Sequence, residues 1–476
     1  MSAKDVSRFL LYRWRYIIGY GLIGALLVGL LVFAGLYAPG GISPEEMRST
    51  VQSDAIRFTD PSTYPLINLP FHLLQAGVFN IFGITEFTIK LPSLIFGLFS
   101  AVGIIVLLRR WFRPNIAVLA SLIAVTTGQF LFIAQNGVPS IMYVFWPVTL
   151  LLLGTQITRQ KHARFLWKIL FTIAAALSLY TPLSIYPIIA IILAIILHPH
   201  LRNAFRRLSK IKLLVCALFA LATMTPLVLG LIADPILGLT LLGIPTTWPP
   251  DIWANLQQLF QQYFVFWEPS TTTLMTPVFG LGSLFVITVG IYRLIRTRET
   301  TRSYLLIIWT LCLIPILLLE PNFTSVVFVP SVMLLAAGLT SLIDYWYRLF
   351  PFNPYARIAG LIPLIMLISV LLWSGIDRYV YGYHYDPNTV VNFSRDLSLL
   401  PKNMSTVVVS EDELPFYQAV ARHRDGLDVR TTAGSDEFAR SRAATVSTKG
   451  YGVDQIVTTT YSVDGDRWYI YKKLAE

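Results

Sequence analysis

Eleven apolar runs, most of them near the ~20 residues a helix needs to cross the hydrocarbon core of a bilayer, fix what this chain can fold into. They fall at about 16–38, 91–108, 116–135, 140–157, 167–182, 184–198, 212–232, 275–292, 303–319, 325–346 and 357–375, the fifth and sixth being the shortest. Only 13% of the residues are charged, about half the roughly 25% of an ordinary soluble domain. The predicted fold class is therefore an α-helical polytopic membrane protein with some eleven transmembrane helices. The first run is too long for a signal-peptide core, so it reads as an uncleaved anchor.

Charge then orients the spans, because loops that stay in the cytoplasm keep Lys and Arg. With the N-terminus inside, the basic clusters at Arg8, Arg109, Arg159, Arg206 and Arg293 all fall on one side. The inward segments, with the span ends that flank them, hold 22 of the 37 Lys and Arg but only 3 of the 26 acidic residues. A sequence pI near 9.5 thus reflects topology, and no nucleic-acid partner is read from it. An odd span number puts the C-terminus outside, in a plasma or inner membrane or in the endoplasmic reticulum. Cys216 and Cys312 sit in separate spans and form neither a disulfide framework nor a metal motif.

Two units follow: a membrane core over residues 1–383 and a small extracytoplasmic α/β domain over 384–476. In the tail, Thr406 to Val409 reads as a strand and Ser410 with Glu413 as a capping box opening a helix through Arg424. Leu427 to Thr432 reads as a second strand, 436–444 as a helix, and 456–463 with 468–473 as a hairpin around Asp464-Gly465. The core carries two large outer loops, 39–90 and 233–274. In the second, Trp267 and Glu268 are candidates to roof a pocket at the membrane interface.

The first loop carries the chemistry. Ser43-Pro44-Glu45-Glu46 opens a helix that would lie along the membrane, with apolar positions at Met47, Val51 and Ile56. Two carboxylates then sit in its first turn. A capping box explains Glu46 without any reaction, and acids suit any helix N-terminus. Alternatively, one of the pair is a general base, a role that contributes roughly 10²- to 10⁴-fold. Outside the tail, the only outward-facing Lys and Arg are Arg48, Arg57, Lys90 and Arg378. Of these, Lys90, Arg48 and Arg57 are candidates to meet a phosphate, since charge that grows on a leaving phosphate needs a cation. Lys90 could equally be a snorkelling lysine. His72, within the apolar stretch from Leu69 to Leu74, is more simply packed than catalytic, and no second His at ligand spacing supports a metal. Asp54 and Asp60 read as solvated loop acids.

The order acidic pair, Tyr64-Pro65-Leu66, apolar interfacial helix, Phe82-Gly83, Glu86-Phe87, then Lys90-Leu91-Pro92-Ser93 entering the second span resembles the GT-C glycosyltransferases of family 39, the protein O-mannosyltransferase and aminoarabinose-transferase type. The stretch from Ile133 to Met142 resembles their third-to-fourth span junction. The resemblance implies an inverting membrane glycosyltransferase that takes a sugar from a polyprenyl-phosphate-linked donor to a protein, lipid or glycan hydroxyl. An acidic residue of the first loop would be the base. By position, Glu45 falls where the family has Asp and Glu46 where it has Glu, while Gln135-Asn136 replace a basic residue of many relatives. Tyr64, Asn68, His72 and Asn136 join Trp267 and Glu268 as pocket candidates. No cofactor is required, and a divalent metal is left open. Two readings compete: a transporter, disfavoured because the spans hold almost no ionisable group at mid-depth, and an inactive relative serving as a receptor or assembly factor.

Overall fold

The computed structural model describes residues 41–159, 164–206, 210–245, 248–266, 278–349, 354–383 and 411–424. Parts of 21–31 are also described, with 392–393, 397 and the strands near the C-terminus. The helices run in order α1 (Pro44–Asp54), α2 (Leu69–Phe82), α3 (Glu86–Trp111), α4 (Pro114–Thr126), α5 (Gly128–Gln135), α6 (Met142–Arg159), α7 (Arg164–Ser178) and α8 (Ile185–Leu197). Then come α9 (Pro199–Arg206), α10 (Lys210–Ala233), α11 (Ile236–Leu242), α12 (Ile252–Phe264), α13 (Leu281–Arg296), α14 (Thr301–Leu319), α15 (Phe328–Leu349), α16 (Pro354–Asp377) and α17 (Leu414–Arg422).

Among the described residues, six helical stretches are long and apolar enough to cross a membrane: Glu86–Trp111, Pro139–Thr158, Ile211–Ala233, Thr301–Leu319, Thr324–Leu349 and Ile362–Tyr381. The expected single span at 116–135 is instead the pair α4 and α5, bent by 58°. The bend falls at Thr127, whose extended backbone (φ −63°, ψ 136°) interrupts the helical ladder. The expected spans at 167–182 and 184–198 are helices of 15 and 13 residues, and that at 275–292 is the 16-residue α13. By length alone, then, the described residues do not reproduce eleven spans. Most of the first run, 16–38, lies outside them. The molecule is an integral membrane protein, and its main core joins α3, α4, α5, α6, α13, α14 and α15.

Close backbone approach fixes two seams. A Cβ built on Gly97 of α3 would meet Ala134 of α5 at 2.7 Å. Between α13 and α15 the contact is reciprocal: a Cβ on Gly290 would lie 2.0 Å from the Leu334 carbonyl oxygen, and one on Gly338 2.0 Å from that of Val286. Lipid tails are as apolar as Leu, so helices inside a bilayer gain little from hydrophobic burial and associate where small residues let backbones touch. The far end of α3 is tied electrostatically, with Asp344 accepting from Arg113 at 3.1 Å and from Arg293 at 3.0 Å.

In the tail, β1 (Thr406–Val409) pairs in parallel with β2 (Asp428–Thr431), and β3 (Tyr451–Thr458) pairs antiparallel with β4 (Arg467–Lys473). The expected helix at 436–444 and the turn at Asp464-Gly465 lie outside the described residues. Helix α17 starts later than the expected capping box: its N-cap is Glu413, without a side-chain cap bond, and Pro415 occupies its first turn. Proline supplies a preset φ and has no N–H to leave unpaired, so the start needs no Ser cap.

Candidate active site

Helix α1 begins as its sequence requires. Ser43 is the N-cap and the capping box closes in both directions: the Glu46 N–H donates to Ser43 Oγ at 3.2 Å, and the Ser43 N–H donates to Glu46 Oε2 at 2.8 Å. The other carboxylate oxygen reaches much further along the chain. It accepts the Gly137 N–H at 2.6 Å, which pins α1 to the junction between α5 and α6. Gly137 is required there, because a Cβ would meet Ile89 Cγ2 at 2.7 Å, the Ile89 carbonyl oxygen at 2.9 Å and Glu46 Oε1 at 3.1 Å.

Glu46 is 0% exposed. Burial raises its carboxyl above the ordinary range, against the opposing pull of Lys90 and of the amides of Gly137 and Ser43. Lys90 is itself buried, on the first turns of α3, and its Nζ donates to the Gly41 carbonyl at 2.9 Å. The pair thus satisfies a strict condition: a buried charge needs both a counter-charge and hydrogen bonds. Lys90 stands within the protein and not at an open headgroup position.

Behind Glu46 lies a buried polar network between α1 and α2. Ser49 and Ser53, one turn apart on α1, donate to Gln75 Oε1 at 3.1 Å and 2.6 Å. Gln75 Nε2 donates to the Ile89 carbonyl at 2.9 Å. With its hydroxyl proton on Gln75, Ser53 receives the proton of His72 Nδ1 across 2.8 Å. Burial pushes His72 from the ordinary 6.5 down to about 4, so the ring is neutral near pH 7. The imidazole is packed, as its apolar surroundings imply.

Glu45, one residue earlier, has the opposite setting. It is exposed and lies within electrostatic range of the Tyr143 hydroxyl at the start of α6. The Tyr143 ring packs edge-on against Phe323. Arg48, one turn further along α1, is exposed too. Asn136, beside Gly137, is 6% exposed and its Oδ1 is buried without a partner.

The structure therefore gathers Glu45, Glu46, Arg48, Lys90 and Asn136, with His72 behind them. It does not bring the other candidates to this point. Arg57 is exposed in the 57–63 turn, where its N–H donates to Thr63 Oγ1. Tyr64 donates to the Phe58 carbonyl, and Asn68, left-handed at φ 55°, ties its N–H to the Tyr180 carbonyl at 2.8 Å. Trp267 and Glu268 lie outside the described residues. Among the described residues no group of three or more His, Cys, Asp or Glu is arranged to hold a metal ion.

Sequence reasoning missed Gly137, Gln75, Ser49 and Ser53. The spacing of His72 and Gln75, three apart in an apolar helix and facing a Ser pair four apart, was the available signal. It also misplaced Asp54, which is no solvated acid: its side chain is 5% exposed, and it pairs with Arg422 and, at 2.7 Å, with His423.

Residues 69–229 match the family described as dolichyl-phosphate-mannose-protein mannosyltransferase. The fold is similar to that of ArnT from Cupriavidus metallidurans. The structure of ArnT bound to undecaprenyl phosphate aligns with a TM-score of 0.54 at 12% identity, covering 88% of this chain and 87% of that one. Its apo state aligns with a TM-score of 0.50 at 14% identity, covering 89% and 87%. The archaeal oligosaccharyltransferase AglB from Archaeoglobus fulgidus, in complex with an inhibitory peptide and a dolichol-phosphate, aligns with a TM-score of 0.47 at 15% identity, covering 87% of this chain and 65% of AglB. No curated protein sequence matches. The resemblance read from the first loop therefore agrees with the mannosyltransferase-family match over residues 69–229 and with a fold similar to that of ArnT.

Proposed function

We propose that this protein transfers a sugar from a polyprenyl-phosphate-linked donor to an extracytoplasmic hydroxyl on a protein, lipid or glycan, with inversion, and that Glu45 is the general base. The observation that carries the assignment is the division between neighbouring carboxylates. A base must reach the proton it takes; Glu45 is exposed, whereas both oxygens of the fully buried Glu46 are held by backbone amides. Glu46 is then the anchor that fixes where Glu45 points.

In the reaction the acceptor oxygen attacks the anomeric carbon as the bond from that carbon to the phosphate oxygen breaks. The hydroxyl proton passes to Glu45, and the polyprenyl phosphate leaves with the bonding pair. Arg48, exposed one turn along the same helix, offsets the charge that grows on the phosphate, with Arg57 as a more distant cation. Lys90 acts through Glu46. The likeness to ArnT in fold, and the match to a mannosyltransferase family that uses a lipid-phosphate sugar, support the donor class. The charge partition along the chain supports an outward orientation of α1.

The test is a panel of polyprenyl-phosphate sugars and hydroxyl acceptors offered to the protein in liposomes. Glu45→Gln is expected to lower kcat by roughly 10²- to 10⁴-fold with folding unchanged, and Arg48→Ala to raise the donor KM. Full turnover by Glu45→Gln would remove this residue as the base.

A further inference from the structure

We propose that helix α17 of the C-terminal region is a positioning element for α1, acting through a clamp of Asp54 with Arg422 and His423; the inference rests on the glycosyl-transfer reading above. Helix α1 has 11 residues, and isolated helices shorter than ~12–15 residues are marginal in water. What grips its two ends therefore sets its orientation. The N-terminal end is held by Glu46. At the C-terminal end Asp54, 5% exposed, meets two groups from the end of α17: the Arg422 guanidinium and His423 Nε2, the latter at 2.7 Å.

Apolar packing makes the same connection. Phe416, Tyr417, Ala419 and Val420 of α17 are each at most 3% exposed and share one core with Ile42, Met47, Phe79, Ile84 and Ile89. Those partners are not peripheral. Ile42 precedes the N-cap of α1, Met47 follows the buried Glu46, and Ile89 precedes Lys90 and packs on Gly137. The turn closing α2 meets the same surface, since a Cβ on Gly83 (φ +75°) would lie 3.8 Å from the His423 carbonyl oxygen. A shift of α17 would thus be felt at both ends of α1 and at the base it carries. Catalysis is sensitive to such shifts, because a misplacement of ~1 Å can cost about 10²-fold.

The C-terminal region then helps to set the geometry of a site built on the membrane core. Asp54, Arg422 and His423 are positioning residues, and none of them needs to touch substrate.

The test uses the full-length protein in liposomes, comparing wild type with Asp54→Asn, with Arg422→Ala/His423→Ala, and with the exchanged pair Asp54→Arg/Arg422→Asp. Three quantities are read: hydrogen exchange of the amides of residues 45–54, and kcat and KM for the polyprenyl-phosphate sugar. We expect faster exchange across α1 and a ~10- to 100-fold lower kcat, with donor KM unchanged, in the first two variants, and recovery of both in the exchanged pair. Unchanged exchange in Asp54→Asn overturns the clamp, and faster exchange with kcat intact overturns the positioning role. Glu45→Gln in the same assay separates this from the parent reading. Its retained turnover would sink the base assignment, while exchange across α1 still tests the clamp without any activity.

Discussion

The two ends of helix α1 each bury a carboxylate, and they do so by different means. At the N-terminal end Glu46 is 0% exposed, and its oxygens accept backbone amides from Ser43 and from Gly137, with Lys90 buried nearby. At the C-terminal end Asp54 is nearly as buried, but its partners are side chains, and Arg422 is 61% exposed. A backbone amide does not titrate in this range, is lost only on substitution by proline and has no rotamers to lose. The first end is therefore built for permanence, whereas the second can be loosened by changing one side chain or by moving one helix. The exposed Glu45 rides on the permanent end.

The strongest way to break this contrast is Glu46→Ala. It removes one partner of a buried pair and leaves the Lys90 ammonium without its counter-charge, so a loss of about 3–5 kcal/mol is expected in thermal unfolding of the micelle-solubilised protein. An unfolding temperature equal to wild type would mean that Glu46 is not an anchor.

Acid should act on α1 from its other end, through His72, whose ring is hydrogen-bonded to Ser53 beside Asp54. Its folded-state value of about 4 lies below the ordinary 6.5, so its contribution is complete above about pH 6.5 and is lost as pH falls through 4. The depression corresponds to roughly 3 kcal/mol. Stability measured against pH should decline over that window, and His72→Gln should flatten the decline. A slope unaltered in the variant would assign the acid sensitivity elsewhere.

Gly137→Ala should cost about 1–3 kcal/mol through overpacking and lower turnover by displacing the carboxylate, while Asp54→Asn should cost only about 1–2 kcal/mol, because the exposed Arg422 can rehydrate. Parallel unfolding curves rank the two ends directly. If Asp54→Asn proves as damaging as Glu46→Ala, the ends are equivalent and the contrast fails.

Local rules made part of this visible in the sequence. Ser43 and Glu46 announce a capping box at a spacing of three, and the box is present. The apolar runs gave the helical membrane fold but not the bend at Thr127, since hydropathy does not register a single extended residue between two apolar helices. The second hydrogen bond of Glu46 crosses 91 positions to Gly137, and no periodicity encodes such a distance. Asp54 read as a solvated acid because a lone Asp near a helix end usually is one; its partners are 368 and 369 residues away. Lys90 read as a headgroup lysine because its neighbours are apolar, but the same neighbours suit a lysine folded inward onto the Gly41 carbonyl, within electrostatic range of Glu46.

The reciprocal glycine contact between α13 and α15 bears on how the proposed lipid-linked donor would get in. A donor with an isoprenoid tail must be admitted sideways from the bilayer, and that calls for helices able to part. The seam at Gly290 and Gly338 leaves no slack for this, because each carbonyl already occupies the space where a methyl group would stand. It works as a keel. Sideways admission then falls to other helices, and α10, whose apolar window is only 6% buried, faces outward along most of its length.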